Sequence, residues 1–557
     1  MRWLWCHRPA RYDPFGLAAA VLFVCLSLTP SLLPRGPAFQ GWLSGIVAAA
    51  GYGLGGLLHR GVRRLLVAPL SGRISWRPSD RLRALSWALL GVVGTVLIGI
   101  FLAAARQWQR EAHRLIGQEP PGPGSPVFIV GLLVFCFVVL VAAARLIGRA
   151  TRALATRLTR WLPVLVAGVA SVVLVALGVT TVFNEVVLRV AFTWMDRVAS
   201  ATNNETRAGI TRPTSPTRSG SPTSLVSWKG LGSEGRTFVT GGPTQEQLAR
   251  FAGRPAVTPI RVYAGLLAAA DAQQRAALAV AELERTGAFD RAVLCIISTT
   301  GTGWVDESSA SALEFLYAGD TATVATQYSY LPSPVSFVSD NDAVEKEGRT
   351  LFARIHQRWS ALPADRRPRL LLYGESLGSN GGQAAFADLA AMRADVDGAL
   401  FAGPPSSNSL WQSLIQHRDR GSPEWSPTYH AGAAVRFAAD EQTLDHRLPD
   451  AWQSPRVLFL QHATDPVVWW SPSLLLRRPD WLAERRGDGV SGAMSWYPIV
   501  TFWQVTADLV AANQVPSGYG HRYGDLIADG WVAVAAPAGW TAQDTARLRS
   551  VLRNVIP

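Results

Sequence analysis

The sequence predicts an α/β domain, a mostly parallel sheet with helices on both faces, preceded by an all-α domain of five transmembrane helices. Three observations carry this. Five nearly uncharged apolar stretches fill the first third of the chain. From about residue 255, short strand-like runs alternate with helical ones. One such run ends in a Gly-x-Ser-x-Gly turn, Gly374-Glu375-Ser376-Leu377-Gly378.

The apolar stretches run at about 15–33, 40–58, 85–105, 127–144 and 161–183. Each holds about 18–23 residues almost free of charge, enough for a helix to cross a hydrocarbon core of ~30 Å. The first is not read as a removable leader, because no small-residue cleavage site follows it and four more stretches do.

Charge agrees with a membrane rather than a nucleic acid as partner. The net charge is +13, yet residues 1–183 hold 19 Arg and no Lys against only Asp13, Asp80, Glu111 and Glu119. The remaining residues are slightly acidic. The excess therefore lies between apolar stretches. Three segments carry 15 of those arginines: the N-terminus (Arg2, Arg8, Arg11), the second loop (Arg60 to Arg83) and the fourth (Arg145 to Arg160). The alternate loops carry Arg35, Arg106, Arg110 and Arg114. The positive-inside bias puts the N-terminus in the cytoplasm. Five crossings then leave everything after about residue 184 on the outer face of the cell (inner) membrane.

This gives a transmembrane domain over 1–183, a neck and linker over 184–254, and the α/β domain over 255–557. Residues 184–200 read as an amphipathic neck helix at the interface. Residues 201–225, rich in Thr, Ser, Pro and Arg, read as an extended linker. Asn204-Glu205-Thr206 matches a glycosylation sequon, discounted because 51 Arg to two Lys points to a GC-rich bacterial genome. Cys295 alone falls in the outer domain, so that domain holds no internal disulfide and Cys295 reads as a small buried hydrophobe.

Strands are expected at 259–265, 292–298, 322–328, 369–373, 397–402 and 456–461. Helices are expected at 268–286, 308–317, 341–360, 380–393 and 498–513. The alternation implies crossover connections and a parallel sheet covered on both faces. Residues 403–455, with Pro, Ser and Trp, break the rhythm as a lid-like insertion.

The apolar run Leu370-Leu371-Leu372-Tyr373 leads into Ser376, and the small-residue stretch after it is helix-prone. A serine on such a tight strand-to-helix turn presents its hydroxyl outward. That hydroxyl needs a base, and the base needs an acid to fix its tautomer. Asp465 follows the strand Val457–Leu460 and is stiffened by Pro466; His521 sits in the glycine-flanked loop Gly518–Gly524. Asp440, after the possible strand 434–438, is the rival acid. His462 is the rival base but precedes the acid in the chain, and His417, His430 and His446 fall inside the insertion.

The backbone N–H of Leu377 and the loop Thr300-Gly301-Thr302 after an early strand are the expected oxyanion donors. That loop lacks the endings of a P-loop or a dinucleotide fingerprint. Trp304, Trp469 and Trp470 are the expected apolar pocket. No His, Cys and carboxylate cluster has metal-ligand spacing, so neither metal nor other cofactor is expected.

The segments SLTPSLLPR (27–35), LGSEGRTFV (231–239), TGTGWVDE (300–307), YGESLGS (373–379), FLQHATDPVVWWSP (459–472), FWQVTADL (502–509) and VPSGYGHRYG (515–524) resemble a known family. It is the membrane-anchored α/β-hydrolase proteins typical of actinobacteria and other bacteria, with a multi-span N-terminal domain. The resemblance implies an α/β-hydrolase fold and a Ser376–Asp465–His521 triad. Tyr519 stands where many relatives carry His, which leaves His521 as the base.

The expected function is a membrane-anchored, outward-facing serine hydrolase, esterase- or lipase-like, acting on an ester or thioester of a lipid-like or acylated envelope substrate. Two alternatives share the sequence features: a cell-envelope acyltransferase with the same triad, and a non-catalytic envelope or transport scaffold. Nothing in the sequence points to an oligomeric state.

Overall fold

The computed structural model describes residues 12–63, 65, 80–120, 122, 126–184, 199–331, 341–446 and 448–555. The chain forms two compact units. One is Met1–Leu188 with Pro472–Ala483 and Asp488–Ala511; the other is Arg189–Ser471 with Glu484–Gly487 and Ala512–Pro557.

The first unit holds α1 (Pro14–Ser27), α2 (Pro37–Val62), α3 (Asp80–Leu115), α4 (Pro126–Leu158) and α5 (Val164–Thr181). Among the described residues four helices are long and apolar enough to cross a membrane, one fewer than the five spans expected. The exception is α1. Its 14 residues rise only about 21 Å at 1.5 Å each. Asp13 caps its start, accepting from the Phe15 and Gly16 amides at 2.9 and 3.0 Å. At the other end the chain leaves the helix at Leu28. Leu32 and Leu33 lengthen the apolar run in the sequence, but they are buried in a turn rather than a helix. Asp508, on the helix Val500–Ala511, accepts from the Ser31 hydroxyl at 2.8 Å and from the Leu32 amide at 3.0 Å.

Helices α1 and α2 run antiparallel. His59 meets Asp13 at 2.7 Å at one end, and the Ser27 and Ser44 hydroxyls meet at 2.8 Å at the other. Arg145 of α4 sits 4.3 Å above the Tyr12 ring. The start of α1, the end of α2 and Arg145 of α4 thus meet at one end of the α1–α2 pair.

The second unit is built on a sheet of seven strands: β1 (Ile260–Ala264), β2 (Val293–Ser298), β3 (Thr321–Thr326), β4 (Arg369–Glu375), β5 (Gly398–Ala402), β6 (Val435–Ala438) and β7 (Arg456–Leu460). Their order is β1-β3-β2-β4-β5-β7-β6, and every pair is parallel. On one face lie α6 (Ala272–Arg285), α8 (Asn341–Ser360) and α9 (Leu377–Gln383); on the other, α7 (Glu307–Leu316), α10 (Asp525–Ala535) and α11 (Ala542–Val555). β1 to β4 are buried almost throughout, as strands covered on both faces must be.

Two of the expected segments take part in the sheet. Within residues 403–455, read as a lid-like insertion, residues 435–438 supply the edge strand β6 where the sequence has its possible strand 434–438. Part of 201–225, read as an extended linker, lies along the opposite edge. Thr217 to Ser219 run beside β1, with the Ser219 amide donating to Arg261 O at 3.1 Å and the Arg261 amide to Thr217 O at 3.2 Å. An exposed sheet edge invites such a cover, and Ser, Thr and Pro suit extended backbone. Most of the expected neck helix, residues 185–198, lies outside the described residues.

Candidate active site

Every element of the site sits at the carboxyl end of the parallel sheet, where open α/β sheets hold their ligands. Central strand β4 ends at Glu375, and α9 begins at Leu377. Between them Ser376 has φ 54° and ψ −128°, a conformation that L residues adopt only under constraint. Its amide donates to Ala402 O at 2.9 Å and so extends the β4–β5 ladder by one bond. Gly378 makes the turn possible, because a side chain there would collide with Ser298 O at the end of β2. The loop after β2 is thereby drawn against the start of α9, beside Leu377.

Asp465 follows β7 and caps the short helix Pro466–Trp469, its Oδ1 accepting from the Val467 amide at 2.8 Å. Its Oδ2 accepts from His521 Nδ1 at 2.7 Å and from the Tyr523 hydroxyl at 2.7 Å. His521 comes from the loop before α10 and is anchored by its own amide, which donates to Ala512 O at 2.8 Å. Its ring packs on Gly403 (φ 56°), where any side chain would overlap the imidazole. Gly403 follows Ala402, whose carbonyl holds the Ser376 amide, so the imidazole lies beside the serine turn. The structure thus joins Asp465 directly to His521. No Ser376–His521 hydrogen bond is formed, since His521 Nε2 is buried without a partner. With Asp465 ionised, Nδ1 carries the proton and Nε2 keeps its lone pair.

Burial would lower the His521 pKa, but the charge and hydrogen bond of Asp465, and then the charge of Glu375, outweigh it and hold it above the usual histidine value. Glu375 is buried in turn and accepts from the Tyr373 hydroxyl at 2.9 Å. Burial pushes its carboxyl up, while His521 and Tyr373 pull it back. Asp306, capping α7 through the Ser309 amide at 2.7 Å, is pushed well above the usual range by burial and then by Glu375.

Among the other expected residues, the Thr300 amide is engaged within its turn, donating to Trp304 O at 3.2 Å, and Thr302 O accepts from Gln327 at 2.7 Å. Gly301 lies in the same turn, and Leu377 opens α9. Trp304 is 37% exposed, whereas Trp469 is buried with its indole N–H on His462 O at 3.0 Å. Trp470 is partly exposed, and its carbonyl accepts from the Ser406 hydroxyl. The rival acid Asp440 caps the helix Glu441–Asp445 through the Thr443 amide at 2.7 Å. The rival base His462 is buried, stacks on Tyr523 and places Nδ1 on Gly520 O at 2.9 Å. Sequence reasoning missed Tyr523, Glu375 and Asp306. Tyr523 stands two residues after His521, and Glu375 lies inside the serine motif itself; nothing local marks Asp306. No group of three or more His, Cys, Asp or Glu among the described residues is placed to hold a metal ion.

No curated protein and no solved structure matches the chain. A model described as an alpha/beta-hydrolase family N-terminus matches residues 28–243. A second, described as an alpha/beta-hydrolase family, matches residues 260–548, which takes in all seven strands and the Ser376, Asp465 and His521 turns. With more than half of its length matched and the parallel sheet that such a match requires, the chain belongs to the alpha/beta-hydrolase family.

Proposed function

We propose that this chain is a membrane-anchored serine hydrolase that cleaves acyl esters or thioesters through an acyl-enzyme on the extracytoplasmic face. The observation that carries the reading is the 2.7 Å Asp465–His521 bond, with Nε2 unclaimed beside a serine held at positive φ. Ser376 Oγ attacks the acyl carbonyl while its proton passes to His521 Nε2. Asp465 stabilises the imidazolium without taking the proton. The Leu377 amide, with one from the 300–302 loop, receives the developing oxyanion. Collapse breaks the bond to the leaving alkoxide or thiolate, which takes the proton from Nε2. Water then releases the acyl group by the same steps in reverse roles. The partly exposed Trp304 and Trp470 and the apolar N-terminal helices favour a lipid-like acyl chain as substrate.

Covalent labelling by a fluorophosphonate tests the chemistry. The intact protein should label, and Ser376→Ala should not; unchanged labelling of the variant would move the nucleophile elsewhere. Sidedness is tested separately, by fusing after residue 200 a reporter active only outside the membrane. The arginine distribution of the helical ends supports an active fusion, and a silent one would reverse the topology.

A further inference from the structure

A cavity of about 440 Å³ lies within the first unit, inside the size range of ligand sites. It is lined on one side by α3, from Gly99, Leu102 and Ala103 through Arg106, Gln109 and Arg110 to His113, with Ala105 beside them. The stripe changes character along its length, apolar in its first half and polar with two arginines in its second, over roughly 20 Å at 1.5 Å per residue. Leu28 and Ile129 continue the apolar wall, and Arg35 joins the cationic end. No carboxylate lines the cavity among the described residues.

Arg35 is the second observation. It is buried, yet of its guanidinium nitrogens only Nη2 makes a hydrogen bond, to Thr29 O at 2.8 Å. Nη1 and Nε are buried without a hydrogen-bond partner, Nε standing 3.9 Å from Asp508 Oδ1. A buried guanidinium with unused donors calls for a further acceptor, and an anion supplies one. The depth fits as well. α3 has 36 residues, about 54 Å at 1.5 Å each, against a core of ~30 Å. In a bilayer its last turns, with Arg106, Arg110 and His113, stand at headgroup level while Gly99 to Ala103 face the acyl region.

We propose that this cavity binds an anionic phospholipid of the surrounding bilayer, its phosphate at Arg35, Arg106 and Arg110 and an acyl chain along Leu28, Leu102 and Ile129. The site is separate from Ser376, and the inference rests only on the membrane-spanning part of the functional reading. The test uses the full chain in phosphatidylcholine nanodiscs doped with spin-labelled phosphatidylglycerol, phosphatidylcholine or stearic acid, reading the motionally restricted fraction. Phosphatidylglycerol should be retained in preference to phosphatidylcholine. Arg106→Gln with Arg110→Gln should erode that preference by about fivefold per arginine, the value of one cation near an anionic lipid. Leu102→Trp should displace the lipid by filling the cavity, with thermal melts showing both variants folded. Equal retention of the two phospholipids overturns the proposal, as does stronger retention of the fatty acid. Failure of the chain to enter the disc would overturn the membrane reading along with it.

Discussion

The Tyr523 hydroxyl donates to Asp465 Oδ2, the same oxygen that accepts His521 Nδ1–H, each at 2.7 Å. With the Val467 amide on Oδ1, the buried carboxylate is held by three donors, of which only one is the imidazole. Tyr523→Phe should therefore keep the acid in place at a cost of about 1–3 kcal/mol in stability, the worth of a hydrogen bond to a buried charge. It should also move the acid limb of kcat/KM to higher pH, because a carboxylate with one donor fewer holds the imidazolium more tightly. Thermal melts and a pH–rate profile on a soluble ester check both. An unmoved limb would reduce Tyr523 to a packing residue.

The working base is neutral His521, whose pKa is held above the usual value although burial opposes it, by Asp465 first and Glu375 after it. The rate should therefore fall as pH drops through a value above ~6.5, the ordinary histidine pKa. Glu375→Gln removes one raising charge, so its limb should shift to lower pH with the alkaline plateau kept. Stability runs the other way. A raised histidine pKa contributes stability fully below pH ~6.5 and loses it as pH rises through the folded value. Coincident limbs for the two proteins would deny Glu375 any influence on the base.

Ser376 adopts a conformation, φ 54° and ψ −128°, that glycine reaches without strain. Ser376→Gly should melt above Ser376→Ala, since strain of this kind amounts to about 1–3 kcal/mol and glycine's extra chain entropy offsets only part of it. Both variants should be inactive on short-chain esters. Equal melting temperatures would mean that the turn is unstrained.

Asp465→Asn should preserve the cap on Val467 but lower turnover by roughly 10⁴-fold, because an amide favours the wrong imidazole tautomer. Asp440→Asn should cost little in either activity or stability, since asparagine caps a helix as well as aspartate does. Assays of both on one ester in detergent decide between the two acids. A large loss at Asp440 beside a mild one at Asp465 would reverse the assignment.

The sheet was legible because its strands are short, apolar and separated by helical stretches; β2 and β5 fall within one residue of their expected bounds at each end. β6 matches the strand marked at 434–438, although an edge strand of four residues among Pro and Trp leaves only a short apolar signal. α1 was overread because buried loop leucines and helical leucines look alike in a hydropathy window. Asp465 and His521 could be named from chain order and strand ends. The roles of Tyr523, Glu375 and Asp306 depend on side chains meeting across the sheet, which no local spacing records. The neighbours that bury Trp469, His462 and Trp411, are likewise visible only in three dimensions.

The bonds from Asp508 back to Ser31 and Leu32 join residues 477 and 476 positions apart. A ribosome makes the Ser31 turn long before its partner. The first unit therefore waits through the synthesis of the whole sheet for the segment that closes it, and His521, just beyond Asp508, arrives in the same interval. Domains that complete themselves in order can be released one at a time; here, assembly of the helical unit and arrival of the base coincide. A chain that stops between β7 and Val500 would carry every strand of the sheet, yet neither the helix that holds the Ser31 turn nor the imidazole.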